Sequence, residues 1–421
     1  MVKKNAGDNV RNLALAAKKA ARRLRSASTL EKDAALRAMA IALEERRDRI
    51  LSANREDVAA AEAKGISAAL IDRLTLDENR LLAAAEGLRE VVALPDPIGI
   101  TVSMSKRPNG LEVGRVRVPL GVIGIIYEAR PNVTVDAAGL CLKAGNAVIL
   151  RGGSEALRSN MAIVTTLREA LKSTPLPEDS VQFIEDTDRA SVQALMMQTD
   201  LVDVLIPRGG RGLIRTVMEN ATVPVIQTGE GNCHIFVDES ADFAQGLEII
   251  INAKCQRPGV CNAMETLLVH RAIAERFLPL AAEELRARGV TLRGCNESQS
   301  IVPWIEAATS DDWETEYLDL ILAVRVVGGL EEAMDHVEQY GTGHSEAILT
   351  RDYINARLFS ETIDAAAVFV NASTRFTDGQ QFGLGAEIGI STQKLHARGP
   401  MGLEELTSTK FVIYGEGQIR Q

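Results

Sequence analysis

The feature that most constrains the fold is a regular alternation of short apolar runs and helical stretches that begins at Gly121. The runs are rich in β-branched residues and lie at residues 122–127, 147–150, 181–184 and 202–206. Helical stretches separate them, for example residues 155–171 and 189–197. Strands that alternate with helices form a parallel sheet, and ligands bind beyond the carboxyl ends of its strands. The sequence therefore predicts an α/β protein.

Two of the predicted strands lead into glycine and arginine. The segments that follow them are Arg151-Gly152-Gly153-Ser154 and Arg208-Gly209-Gly210. Glycines let backbone amides approach a phosphate, and arginine adds a fork of donors. Neither segment is a GxGxxG fingerprint or a Walker loop, and glycines after strands are common. Because two such ends occur in one predicted sheet, we predict a nucleotide phosphate site there.

The segments before Gly121 predict helices and a hairpin. Residues 8–93 have helical spacing, with capping boxes Ser28-x-x-Glu31 and Thr75-x-x-Glu78 opening the second and fourth helices. Residues 98–120 alternate valine with polar residues around an Asn-Gly turn, which predicts a hairpin. The hairpin either pairs with another subunit or is a plain surface hairpin, and the sequence leaves both readings open. Residues 410–414 predict a last strand that can pair with it.

Composition narrows the classes of partner. A chain of 421 residues is too long for one hydrophobic core, so two or three domains are expected. The net charge of −10 argues against nucleic acid or an anionic membrane as the main partner. The five cysteines form no CxxC pair, which suggests neither a disulfide framework nor a zinc site and fits a reducing cytoplasm. No apolar run is long enough for a membrane span.

Cys261 is the candidate nucleophile. It follows an Arg-Pro-Gly turn and precedes an apolar run at residues 264–270 that reads as a strand. A cysteine on such a turn is accessible, and the nearby Lys254 and Arg257 favour its thiolate. The alternative is a small buried hydrophobic residue, which is the commoner role of an intracellular cysteine. The irregular segment at residues 371–406 is long enough to indicate a function of its own.

Several motifs resemble those of the aldehyde dehydrogenase superfamily. The stretch from Pro119 to Gly124 and the stretch at residues 143–150 are similar to its cofactor-domain core. Closer still is the similarity to the γ-glutamyl phosphate reductase family, carried by YEARPN (127–132), QRPGVCNA (256–263), YGTGHSEAI (340–348), NASTRFTDG with FGLGAEIGIST (371–392) and KLHARGPMGLEELT (394–407). The resemblance implies NADPH-dependent reduction of L-glutamyl 5-phosphate to L-glutamate 5-semialdehyde, the second step of proline biosynthesis. It also implies a cysteinyl thioester, no metal, a homo-oligomer (dimer or tetramer) and a transient contact with glutamate 5-kinase.

The same resemblance implies a division of the chain within an aldehyde dehydrogenase-like α/β fold. We expect a Rossmann-type NADPH-binding domain at residues 1–99 and 121–228, and an α/β catalytic domain carrying Cys261 at residues 229–372. A small β arm for oligomerisation is expected at residues 100–120 and 405–421. Residues 373–404 are expected to form an active-site tail that returns to the cofactor domain.

Two departures from the superfamily pattern bear on the reaction. Gln227 stands where the superfamily has the glutamate that activates water, and an amide cannot take a proton. This favours a reductase, although Glu230 lies three residues on and is an alternative base. Arg151 opens a turn in which Ser154 stands where the superfamily has an acid that binds the adenosine ribose. Without that carboxylate nothing repels a 2′-phosphate, and Arg151 can pair with it, which favours NADPH over NADH. The carboxylate of Glu155, next to that turn, favours NADH instead.

The resemblance also implies roles for individual residues. We expect Cys261 as the nucleophile, with the Asn132 amide and the Cys261 N–H holding the oxyanion. Asn132 can instead cap a helix, and Arg130 competes for the same role. The expected substrate ligands are Arg130, Arg257, His344, Ser345, Arg375 and Glu387, and the expected cofactor ligands are Arg151, Gly152, Gly153, Ser154, Arg208, Gly209, Gly210 and Glu316. For the arginines the alternative is a surface ion pair, and for His396 and Arg398 the sequence does not separate catalysis from loop anchoring.

Three functional readings therefore stay open. The first is the acyl phosphate reductase. The second is an oxidative, hydrolytic aldehyde dehydrogenase, which needs a carboxylate facing Cys261 to activate water. The third is a non-catalytic nucleotide-binding scaffold, in which Cys261 is buried and inert.

Overall fold

The computed structural model describes residues 6–420. The helices are α1 (Ala6–Leu24), α2 (Thr29–Glu45), α3 (Arg47–Ala63), α4 (Ala68–Leu74), α5 (Glu78–Ala93), α6 (Pro131–Lys143), α7 (Leu157–Leu171), α8 (Arg189–Met196), α9 (Arg211–Asn220), α10 (Phe243–Cys255), α11 (Arg271–Arg286), α12 (Asn296–Ile301), α13 (Leu330–Tyr340) and α14 (Tyr353–Thr362). The strands are β1 (Thr101–Lys106), β2 (Glu112–Pro119), β3 (Val122–Tyr127), β4 (Ala147–Arg151), β5 (Val181–Phe183), β6 (Val204–Arg208), β7 (Cys233–Val237), β8 (Met264–His270), β9 (Thr291–Gly294), β10 (Glu306–Ala307), β11 (Ile321–Val327), β12 (Ser345–Leu349), β13 (Ala367–Val370), β14 (Ile390–Ser391), β15 (Gly399–Pro400) and β16 (Thr407–Tyr414).

The chain divides into two compact units. The first unit holds the described residues up to Thr228, with Gly383–Gly389 and the residues from Met401 onward. The second unit holds Gly229–Phe382 and Ile390–Pro400. The tail is therefore shared between the units, and most of it belongs to the unit that carries Cys261.

A four-stranded parallel sheet forms the centre of the first unit. Its strand order is β5-β4-β3-β6, so the chain reverses direction across the sheet at β3. Arg151 pairs with Ile126 and Arg208 pairs with Tyr127, which places both glycine-arginine segments beside the carboxyl end of β3. This is the edge where open α/β sheets bind ligands. The predicted parallel sheet is confirmed, although β6 begins two residues later than the alternation suggested.

The helical start of the chain follows the prediction with one correction. The capping box of Ser28 and Glu31 opens α2 as predicted. The prediction that Thr75 opens a helix is wrong, because Thr75 ends α4 and its hydroxyl bonds back to the carbonyl of Ile71. Asp77 caps α5 instead, accepting a hydrogen bond from the N–H of Arg80 at 2.7 Å.

The predicted hairpin lies in a separate antiparallel sheet of the first unit. Strands β1 and β2 pair around the Asn-Gly turn, where Gly110 has a φ of +88°. The last strand, β16, pairs with β2 along its whole length, from Thr407 opposite Pro119 to Tyr414 opposite Glu112. The prediction that the final strand pairs with the hairpin is confirmed.

A seven-stranded sheet of order β10-β9-β11-β8-β7-β12-β13 forms the second unit. All of its pairings are parallel. Strand β8 is buried almost throughout, as expected of a central strand covered on both faces. Helix α11 packs on this sheet through residues at helical spacing, among them Ile273, Phe277 and Ala281. The segment that carries Cys261 connects α10 to β8 and is held in place by this core.

Two absences are observed in the part of the chain that the structure describes. Across residues 6–420, no helix is both long enough and apolar enough to cross a membrane. Within the same range, no group of three histidine, cysteine, aspartate or glutamate side chains is arranged to hold a metal ion.

We predict that Phe277→Ala lowers the free energy of unfolding by about 3–5 kcal/mol, because it opens a cavity under β8. Phe277 is 0% exposed and contacts the ring of Phe243 edge-on. Leu280→Ala on the same helix is the matched control, since Leu280 is 49% exposed and is expected to change stability by less than about 0.5 kcal/mol. Denaturant unfolding of both variants measures the difference, and equal losses would contradict the described core.

Candidate active site

The Cys261 thiol lies on the turn between α10 and β8 and is half-buried. It is not in a disulfide. By contrast, Cys141 and Cys233 are fully buried, and burial raises the pKa of each thiol. Cys255 and Cys295 are half-buried as well, so exposure argues against Cys141 and Cys233 as nucleophiles but does not by itself single out Cys261.

The linker that precedes β7 packs directly behind the thiol turn. A Cβ atom at Gly231 would overlap the carbonyl group of Cys261, so only glycine fits there. The Cys233 thiol lies 3.2 Å from the same Cys261 carbonyl oxygen and donates to it. Because its pKa is raised, Cys233 keeps the proton that this hydrogen bond needs. The backbone of Cys261 is thus held from behind by a glycine and a neutral thiol.

Glu316 forms a hydrogen bond to this linker. Its Oε1 accepts a hydrogen bond from the N–H of Gly231 at 2.8 Å. The loop that carries Glu316 is held in turn by Glu265, which accepts from the N–H of Leu318 at 3.2 Å. Glu316 therefore contacts the linker behind the nucleophile, and its expected role toward the cofactor stays a prediction.

Lys254 is paired with a carboxylate that the sequence analysis did not indicate. Its Nζ lies 2.6 Å from Glu265 Oε2, and both side chains are completely buried. Burial lowers the pKa of Lys254 and raises that of Glu265 to about 7. The charge of Lys254 is therefore matched by Glu265, and the expected effect of Lys254 on the thiol stays a prediction.

Asn262 ties the thiol turn to the segment that carries Arg375. Its Nδ2 donates to the carbonyl of Thr377 at 2.9 Å and to that of Arg375 at 3.3 Å. Its own carbonyl accepts from the hydroxyl of Thr374 at 2.8 Å. Its Oδ1 accepts from the Arg375 guanidinium, which also donates to Gln256 Oε1 at 2.8 Å. These contacts bring Arg375 beside the nucleophile.

Arg257 and Arg375 form a cationic pair near Cys261. Burial lowers the pKa of Arg375, and the positive charge of Arg257 lowers it further. The Cys261 thiol acts in the opposite direction and raises this pKa. Two of the predicted substrate ligands therefore lie together with the predicted nucleophile, in an arrangement that suits an anion.

His344 and Ser345 lie behind the site rather than on its surface. Both are 0% exposed, and His344 Nδ1 lies 2.8 Å from Ser345 Oγ. Ser345 Oγ lies 2.6 Å from Thr377 Oγ1, and His344 Nδ1 lies 3.8 Å from the Cys233 sulfur. The pair therefore supports Cys233 and Thr377, and direct contact with substrate stays a prediction.

A buried polar layer lies deeper in the same unit. His234 Nδ1 is 3.0 Å from Glu346 Oε2, across the adjacent strands β7 and β12. His336 Nδ1 accepts from Arg325 at 2.9 Å, and the His336 ring packs against those of His234, Trp313 and Tyr340. Burial, with the nearby His234 and Arg325, lowers the pKa of His336 to about 2. His336 is therefore neutral in the folded protein.

Arg398 anchors the tail. Its guanidinium donates to the Asp364 carboxylate and to the Asp364 carbonyl, each at 2.7 Å. Lys394 pairs with the same carboxylate. His396 has a φ of +72°, the left-handed region, on the turn between these two residues. For Arg398, the structure favours loop anchoring over catalysis.

Asn132, Arg130 and Glu387 belong to the first unit. Arg130 is the N-cap residue of α6, with no side-chain capping bond, so Asn132 does not cap this helix. Asn132 is exposed at the second residue of α6, and its amide donates to Asp136 at 3.5 Å. Glu387 lies half-buried in the segment Gly383–Gly389. The catalytic role of Asn132 and the substrate roles of Arg130 and Glu387 stay predictions.

The segments after β4 and β6 form the candidate cofactor site. Arg151 donates to the carbonyls of Gly152 and Thr187 at 2.9 and 3.1 Å, and its Nε is buried with no acceptor among the described residues. Glu155 curls back over Gly153 and accepts from the N–H of Ala129 at 2.8 Å. A buried guanidinium donor without an acceptor fits a phosphate ligand.

The second of these segments opens helix α9. Gly209 and Gly210 are exposed and precede the first residue of the helix, Arg211. The Glu128 carboxylate accepts from the N–H of Gly210 at 2.9 Å and lies over Gly209. The amides at this helix start therefore bind a carboxylate, which shows that they suit an anion.

Sequence reasoning missed Gln256, Asn262, Cys233 and Glu265. The first two flank Cys261 within one motif, so their position in the sequence was the available signal. Cys233 had no signal in the sequence, because its contact with the Cys261 carbonyl forms only once β7 lies beside β8. Glu265 had no signal beyond a carboxylate in an otherwise apolar strand, where it requires a partner.

Comparisons with known proteins agree with one another. The model of the aldehyde dehydrogenase family matches residues 1–319. γ-Glutamyl phosphate reductase of Moorella thermoacetica is 63% identical over 405 residues, covering 96% of this chain and 97% of the relative. The enzyme of the same name from Carboxydothermus hydrogenoformans is 61% identical over 413 residues, covering 98% and 100%. A crystal structure of γ-glutamyl phosphate reductase from Thermotoga maritima superposes with a TM-score of 0.96 at 55% identity, covering 98% of this chain and 100% of that one.

We predict that the neutral His336 makes stability depend on pH. Below about pH 6.5 the unfolded chain protonates this histidine, whereas the folded protein does not until about pH 2. Stability is therefore lost as the pH falls below 6.5, by about 1.4 kcal/mol per pH unit from this group alone. Between pH 8 and pH 5 the wild type is expected to lose about 2 kcal/mol relative to His336→Gln, which urea unfolding measures. A stability difference that does not change with pH would contradict this linkage.

Proposed function

The chain belongs to the aldehyde dehydrogenase family, and from this premise we propose that it acts as a γ-glutamyl phosphate reductase. In this reaction L-glutamyl 5-phosphate is reduced to L-glutamate 5-semialdehyde with release of phosphate, the second step of proline biosynthesis. The observation that carries the proposal is the half-buried Cys261 beside the cationic pair of Arg257 and Arg375. The relatives that share this name align with nearly the whole chain.

The chemistry begins with the thiolate of Cys261. It attacks the acyl carbon of the γ-glutamyl phosphate, a carbon–sulfur bond forms, and the bond to the phosphate oxygen breaks. The cations of Arg257 and Arg375 stabilise the negative charge of the departing phosphate or of the substrate carboxylate. The Cys261 N–H donates to the oxyanion of the tetrahedral intermediate. Collapse of the reduced adduct returns the free thiol and releases the aldehyde.

Members of the family use a nicotinamide cofactor, and we propose NADPH for this chain. When bound, NADPH supplies the hydride that reduces the thioester. Arg151 is the proposed partner of the 2′-phosphate, since its buried Nε has no acceptor among the described residues. Glu155, which argued for NADH, is engaged with the N–H of Ala129 and lies over Gly153. A carboxylate held in this way is not extended toward a ribose.

Gln227 separates the reductase from a hydrolytic aldehyde dehydrogenase. An amide at this position cannot activate water, so the thioester survives until reduction. Glu230 is the alternative base. If Glu230 served as one, the enzyme would oxidise the semialdehyde to free glutamate without phosphate.

The antiparallel sheet of the first unit supports a homo-oligomer. Apolar side chains along this sheet are exposed, among them Val102, Met104, Phe411, Ile413 and Tyr414. Exposed apolar strands at a sheet edge are suited to pairing with another copy of the chain. A cytoplasmic location and a transient contact with glutamate 5-kinase remain part of the proposal.

The reverse reaction tests this proposal. Glutamate semialdehyde, NADP and phosphate are supplied, and NADPH is followed by its absorbance. We expect production that depends on phosphate and falls at least about 1,000-fold in Cys261→Ser, because a hydroxyl is a much weaker nucleophile than a thiolate.

Turnover without phosphate would instead point to hydrolysis. In that case Glu230→Gln should abolish the phosphate-independent reaction, and the hydrolytic reading would replace the reductase. An absence of turnover under both conditions would favour the scaffold reading.

We predict that Arg151→Ala lowers the preference for NADPH over NADH by about 10- to 100-fold, the value of one charge-assisted hydrogen bond. The ratio of kcat/KM for the two cofactors measures it. Arg49→Ala is the control, since Arg49 lies on α3 of the same unit and pairs with Glu169 at the surface. An unchanged cofactor ratio in Arg151→Ala would assign the 2′-phosphate to another residue.

A further inference from the structure

The Arg375 guanidinium is held by neutral groups. Its Nε donates to the amide oxygen of Gln256 at 2.8 Å, and its Nη1 donates to the amide oxygen of Asn262. These two residues flank the nucleophile, five positions before and one position after Cys261. An amide accepts a hydrogen bond but carries no charge. The two contacts therefore orient the cation without neutralising it.

Other arginines of the same unit are held differently. Arg293 donates to the Asp312 carboxylate at 2.7 Å, Arg398 to Asp364 at 2.7 Å and Arg325 to Glu332 at 3.2 Å. In each case a carboxylate supplies the opposite charge. Half-buried cations are normally compensated in this way, because burial disfavours the charged form.

The charges around Arg375 also differ from those around the other arginines. The positive Arg257 acts against its charge, whereas Cys261 and Asp378 act in its favour. The Asp378 carboxylate keeps its charge but accepts its hydrogen bonds from the N–H groups of Gln380 and Gln381, at 3.0 and 3.3 Å, so one carboxylate at longer range faces two arginines. The local balance leaves positive charge close to the thiol.

We propose that Gln256 and Asn262 are positioning residues that hold Arg375 beside Cys261 with no carboxylate bonded to its guanidinium, so that an oxyanion of the substrate takes that place. This inference rests on the proposed function for the identity of the substrate. The oxyanion is either the phosphate of the acyl phosphate or the carboxylate of the glutamyl group. The neutrality of the two amides selects anionic acyl substrates over neutral ones.

A glutamate at position 256 separates this role from a structural one. Gln256→Glu keeps the acceptor oxygen and the side-chain length, so a merely structural contact survives and becomes an ion pair. The proposal expects the opposite effect on anions, because Arg375 is then neutralised in advance. Asn262→Asp is the second variant, in case the first perturbs the end of α10. Gln245→Glu is the matched control, since it makes the same change at an exposed position near the start of α10.

The first measurement does not need the enzyme to turn over. The full-length protein is alkylated with iodoacetate, which is an anion, and in parallel with iodoacetamide, which is neutral. Peptide mass spectrometry follows the reaction at Cys261. We expect Gln256→Glu to lower the ratio of the iodoacetate rate to the iodoacetamide rate by about tenfold, a typical value for one charge-assisted contact. Taking the ratio cancels any change in the reactivity of the thiol itself. An unchanged ratio in both variants would overturn the proposal.

The second measurement uses the reverse reaction, in which the two oxyanions belong to different molecules. A higher KM for phosphate in Gln256→Glu would assign Arg375 to the phosphate, and a higher KM for the semialdehyde would assign it to the carboxylate. We expect an increase of about tenfold in one of them, with no loss of thermal stability. Unchanged KM values, or a fall in kcat alone, would contradict the proposal. If the wild type does not turn over, the proposed function fails, and the alkylation ratio still decides this inference.

Discussion

The candidate site depends on the close approach of the Gly231 backbone to the carbonyl of Cys261. Only a residue without a side chain leaves room for this approach. The same carbonyl accepts the Cys233 thiol, and the N–H of Gly231 is used by Glu316. A nucleophile on a turn would otherwise sample many orientations, because turns lack the regular hydrogen bonds of helices and strands. The linker therefore holds the backbone of the turn that carries Cys261 in one conformation.

Much of the fold was predictable because its signals are local. The β-branched runs and their helical spacers predicted the parallel sheet of the first unit, and the bounds of β3 and β8 agree with the predicted runs. The Asn-Gly turn predicted the hairpin. Thr75 misled the prediction because a hydroxyl near a helix end can bond backward to the preceding turn as well as forward. The choice depended on Asp77, a stronger capping group two residues later.

The site was predictable only in part because its contacts are distant in sequence. The resemblance to the aldehyde dehydrogenases is confirmed, and it pointed to Cys261, Arg257 and Arg375. What it did not indicate is how Arg375 reaches the thiol, since the contacts of Asn262 with that segment span 113 positions. For Lys254, the sequence did not indicate a buried ion pair. Its partner Glu265 lies beyond the turn, and the pairing appears only once α10 packs on β8.

The buried pair of Lys254 and Glu265 has a consequence for how this protein can change over generations. Removing one member leaves the other charged in an apolar interior, which costs about 3–5 kcal/mol, whereas replacing both with apolar residues of similar size is often neutral. Each single substitution is then deleterious although the double one is tolerated. Substitutions at positions 254 and 265 are therefore expected to occur as a pair, because the effect of each depends on the other, which is reciprocal epistasis. An evolving lineage would find the α10–β8 junction beneath Cys261 hard to alter in single steps.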